Sequence, residues 1–68
     1  MRLSEDPKLH DWLLTVVNGN PKRRIAPAGD FLKSLAMAGL RADPSNLTIL
    51  YPVLLAMQRK YPEYDAAQ

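Results

Sequence analysis

The sequence predicts an all-α protein: a small three-helix bundle whose third helix is kinked or split at a proline. Three observations predict it. Apolar residues recur at three- and four-residue steps in three segments, the spacing that gathers them on one helical face. Aspartate, glycine and proline cluster at the joints between those segments, where helices start and stop. Hydrophobic content is 47%, ordinary for a globular chain, while cysteine is absent, so neither disulfides nor a thiolate metal cage can brace the fold. With 68 residues the chain is read as one domain, 1–68, near the lower size at which a chain folds unaided. Ordering each residue costs roughly 1.5 kcal/mol, so stability must come from well-packed helices or from oligomerisation.

The first helix is expected over about 6–18. Asp6 is placed to cap the unpaired first-turn amides, and Pro7 loses no needed donor at the first helical position. Leu9, Trp12, Leu13, Val16 and Val17 then share one face. Asn18-Gly19 is the expected left-handed stop, and Pro21 prevents resumption. The second helix is expected over 27–41, opening at Pro27 to Asp30, with Phe31, Leu32, Leu35, Ala38 and Ala42 as its apolar stripe. Gly39 costs about 1 kcal/mol against alanine inside a helix, so it implies either a close helix crossing or fraying.

Asp43-Pro44 repeats the Asp-Pro opening, and the third helix is expected over 44–61, stopped by Pro62. Pro52 removes one backbone bond inside it, so the helix bends there or a separate helix begins. Residues 62–68 are expected to form a flexible tail. The stretch Leu35–Asn46, LAMAGLRADPSN, resembles the junction between tetratricopeptide repeats, where a helix ends and Asp-Pro-x-Asn opens the next. The resemblance covers little more than twelve residues, and Pro52 departs from the repeat's pattern, so it implies only helix, tight turn, helix.

Projected at 100° per residue, Leu47, Leu50, Tyr51, Leu54, Leu55 and Met57 centre a wide apolar arc that Val53 and Tyr61 extend. Thr48, Pro52 and Arg59 line the opposite strip. The arc spans about 200°, where roughly 100° suffices to face a core. Either this is the central helix, buried by the other two, or one flank stays exposed and meets a protein partner or a second copy in a homodimer. The residues expected on such a surface are Tyr51, Leu55, Met57, Gln58, Tyr61 and Tyr64, since aromatic residues and methionine are enriched at interfaces.

Catalytic and metal chemistry is not expected. His10 is the single histidine; with Asp6 one turn before it, two ligands are at hand, and two do not make a site. Ser4, Ser34 and Ser45 have cap or surface explanations, and no glycine-rich phosphate loop follows a strand. No cofactor is expected. The apolar run 47–57 is broken by Thr48 and Pro52 and is far short of a bilayer span, so a cytoplasmic protein without a membrane partner is expected.

The net charge of +2 is too small to imply nucleic acid by itself. Lys22, Arg23 and Arg24 concentrate a third of the cations in one joint, a basic patch able to contact phosphates, salt-bridge a protein or simply face solvent. That joint holds no aromatic residue for base stacking. The helix after Asp43-Pro44 is mostly apolar, unlike one that reads base edges in a helix-turn-helix. The function expected is therefore a small non-enzymatic protein-interaction module, an inhibitor or regulator of a larger protein of the phage or mobile-element accessory kind. Nucleic-acid binding through the basic patch is the alternative.

Overall fold

The computed structural model describes residues 1–65. Among them are three α-helices, α1 (Pro7–Asn18), α2 (Asp30–Arg41) and α3 (Pro44–Lys60), and no strand. Short 3-10 turns cover Leu3–Glu5, Pro21–Arg23 and Pro62–Tyr64. Both Asp-Pro steps act as the sequence implies. Asp6 Oδ1 accepts from the Leu9 amide at 3.1 Å and Asp43 Oδ1 from the Asn46 amide at 2.8 Å, each with proline as the next residue. Around the second of these lies the helix, tight turn, helix arrangement of residues 35–46.

The core is built from Leu9, Trp12, Leu13 and Val16 of α1, Leu32 and Ala36 of α2, and Leu47 and Leu54 of α3. On α2 the buried strip is Leu32, Ala36 and Gly39, while Phe31 and Ala38, expected in the stripe, face solvent. Gly39 supplies the reason. A Cβ there would lie 3.0 Å from Leu54 Cδ1 and 3.5 Å from the Leu13 methyls, so α1 and α3 close in on the side of α2 that is smallest. Rotating Phe31 inward would lift both helices off that contact.

Two boundaries shift. The second helix begins at Asp30, not Pro27, because residues before it are held out of the helix by other bonds: the Ala28 amide donates to Val16 O at 2.9 Å, and Gly29 is extended. The third helix is not split. Pro52 lies inside one continuous α3 with its ring exposed. Leu47 and Leu54 are buried on either side of the proline, and Leu50 and Met57 pack against the core. That inward burial on both sides outweighs one missing backbone bond.

The largest correction concerns the C-terminal segment. Instead of standing off as a tail, residues 61–65 fold back onto α1. Trp12 Nε1 donates to Tyr61 O at 2.9 Å, and the Trp12 and Tyr64 rings meet edge to face, 6.4 Å between centroids. Arg23 Nη1 donates to Asp65 O, and Gln58 Nε2 to Asp65 Oδ1, both at 3.1 Å. Residues 66–68 of the expected tail lie outside the described residues.

Candidate interaction surface

The six residues expected to meet a partner do not form one exposed surface. Tyr51 donates its hydroxyl to Asp6 Oδ2 at 2.7 Å, the carboxylate whose other oxygen caps α1. Met57, Tyr61 and Tyr64 pack against the core. Gln58 is tied to Asp65, and Leu55 is half-buried. Their inward commitments are made to residues 7 to 49 positions away in the chain. Aromatic and methionine side chains serve cores as well as interfaces, so composition alone assigns them to neither.

The Tyr51–Asp6 bond has a pH signature. The bond holds the Tyr51 hydroxyl above its ordinary 10.0, helped by desolvation and by the negative charge of Asp6. The folded state thus keeps this proton longer than the unfolded chain does. Its contribution is whole below pH 10 and is lost as pH rises through and above that value. Wild type should therefore exceed Tyr51→Phe in urea midpoint at about pH 8 and lose that advantage at about pH 11. An unchanged difference between the two pH values would mean that the bond does not form.

What α3 does expose lies on its other side. Ile49 is 70% exposed and Val53 45%, and Pro52 and Ala56 beside them are also exposed. Steps of three and four residues put these four on one strip, continued by Ser45 at one end and Lys60 at the other. Nothing charged occurs in the fifteen residues from Pro44 to Gln58. The outward sides of the other helices differ: α1 shows Lys8, His10 and Asp11 around its exposed Leu14, and α2 shows Arg41. The α3 strip is the longest uncharged outward helix face among the described residues. Ile49 was outside the apolar arc, and Pro52 was assigned to a polar strip. The fifteen-residue gap in charge was the signal in the sequence that could have found this face.

A second apolar feature is a shallow groove of about 330 Å³ where Phe31 meets Tyr61 and Tyr64, with Asp30 and Glu63 also lining it. Phe31 is 69% exposed there. Lys60 Nζ lies 5.5 Å from the Tyr61 ring centroid, so one cation of the chain already covers part of this aromatic cluster.

The basic joint is divided by its own fold. Lys22 and Arg24 are exposed, whereas Arg23 is half-buried against the C-terminal segment through Asp65. Ile25 is held by an exchange of both backbone bonds with Asn20, at 2.7 and 3.0 Å, and Arg24 takes the left-handed conformation, φ 58°, that turns the chain into that bridge. Three cations displayed together, as the sequence suggests, are thus reduced to two.

Among the described residues no three His, Cys, Asp or Glu side chains gather as a metal site, and no helix is long and apolar enough to cross a membrane. No protein-family pattern, curated protein or solved structure matches the chain.

Proposed function

We propose that the chain is a non-enzymatic protein-interaction module that docks the outward face of α3 on another polypeptide. The observation that carries this reading is Ile49, a large aliphatic side chain 70% exposed in the middle of a strip without charge. An isolated exposed apolar residue is ordinary, but an apolar strip running two turns along a helix is the usual form of a helix-on-groove or helix-on-helix contact. Regulation or inhibition of a larger cytoplasmic protein is the role that so small a module suits.

The experiment is affinity capture from the native host cell with wild type and two variants. Ile49→Lys changes an exposed position and should leave the folded state within about 0.5 kcal/mol of wild type by thermal melting. It should lose the captured protein, while Lys22→Ala/Arg24→Ala retains it with at most slower association. Recovery of nuclease-sensitive material that depends on Lys22 and Arg24 would replace this reading with the nucleic-acid one.

A further inference from the structure

We propose that the polypeptide this face meets is a second copy of the same chain, paired α3 against α3 in antiparallel orientation; the inference rests on the interaction reading above and names its partner. The argument is self-complementarity. An antiparallel pair related by a two-fold axis beside Pro52 and Val53 brings each outward position of one helix to a different outward position of the other. Ile49 then faces Ala56 of the second copy, so the largest side chain of the strip lies over the smallest at both ends of the contact. Pro52 faces Val53 at the axis, and Ser45 faces Lys60. No charge is stripped of water at the centre, because the helix has none there.

The ends choose the orientation. The only basic residues of α3 are Arg59 and Lys60 in its last turn, and Asp43 caps its start. Antiparallel pairing sets the cationic end of each helix beside the aspartate-capped end of the other. Parallel pairing would set four cations side by side and leave no anion of α3 near them. Both helix dipoles are also opposed, the favourable arrangement.

The contact is small. A strip of six positions on one helix falls short of the roughly 800 Å² per partner typical of stable interfaces. The dimer is therefore weak and exchanging, with a dissociation constant between about 10 μM and 1 mM. That also leaves the face available to a tighter partner.

Sedimentation across about 10 μM to 1 mM should show a concentration-dependent shift from monomer to dimer. Ile49→Lys should raise the dissociation constant at least about tenfold while its helical spectrum stays that of wild type. Because the chain lacks cysteine, single cysteines report the geometry. Val53→Cys, next to the axis, should oxidise to a covalent dimer about tenfold faster than Ser34→Cys, exposed on α2, since pairing raises its effective concentration. A monomer throughout the range, or a dimer indifferent to Ile49→Lys, overturns the proposal. Equal cross-linking of the two cysteines overturns the antiparallel contact. Should wild type be monomeric and yet lose a captured protein on Ile49→Lys, the second copy is excluded while the interaction reading stands; loss of neither property removes both.

Discussion

Trp12→Ala is expected to abolish the cooperative thermal transition of this protein. The side chain is 1% exposed and is the largest of the fully buried set. Truncating a buried tryptophan to alanine costs about 3–5 kcal/mol, as lost apolar transfer plus the cavity left behind. A chain of this length has roughly 3–10 kcal/mol of stability in all. Trp12 also does more than fill volume. Its Nε1–H holds Tyr61 O and its ring receives the edge contact of Tyr64, so the C-terminal segment loses two anchors with it. Circular dichroism on heating should show a broad, low-temperature loss of helix; a sharp transition within a few degrees of wild type would show that Trp12 does not organise the core. Trp12→Phe separates the two roles. It keeps most of the apolar volume and removes only the donor, so it should cost about 1–2 kcal/mol. Its hydrogen-exchange protection should drop most around residues 61–65.

That C-terminal docking is also where reading the sequence went furthest astray. Residues 61–65 carry Pro62, Glu63 and Asp65 and no helical periodicity, and polar, proline-containing ends of chains are usually loose. What fixes this one is a set of single hydrogen bonds to Trp12, Arg23 and Gln58, partners 7 to 49 residues away, and such pairings leave no local pattern. The helix openings were legible because capping is local: Asp6 and Asp43 reach amides three residues on. The close crossing at Gly39 was legible in kind, since a glycine in mid-helix needs a reason. Which side of α2 it would turn inward was not, because Phe31 is by apolarity the better core residue, and only the approach of Leu13 and Leu54 decides against it.

The candidate surface shows the same division. A helix with an apolar arc twice the needed width was visible in the sequence, but which part of the arc the fold would cover was not. The arc's tyrosines and Met57 turned toward long-range partners, and the exposed part proved to be Ile49, Pro52, Val53 and Ala56. The basic joint was likewise visible as charge, while the capture of Arg23 by the chain's other end was not.

The second large effect is expected in that joint, from the smallest change the chain allows. Gly19 has φ 71° and ψ −173°, a region that essentially only glycine occupies. A side chain there costs about 1–3 kcal/mol in backbone conformation alone. The surroundings add to it, because a Cβ would stand 2.6 Å from Ile25 O and 2.9 Å from Pro27 N and Cδ. These are backbone and ring atoms, which cannot swing aside as the tip of a long side chain would. Ile25 O is the acceptor for the Asn20 amide, so relieving the clash breaks the bridge that turns Lys22, Arg23 and Arg24 back toward α2. Gly19→Ala should therefore cost about 3 kcal/mol or more and should deprotect the Asn20 and Ile25 amides in hydrogen exchange. Gly29→Ala is the matched control. Gly29 has φ −71°, nothing within 4 Å of an added Cβ, and only the N-cap preference of α2 at stake, about 1 kcal/mol or less. Equal urea midpoints for the two variants would show that the joint does not need the conformation glycine gives it. A lower midpoint for Gly19→Ala alone would tie the course of the basic joint, and with it the docking of Arg23 on Asp65, to one residue without a side chain.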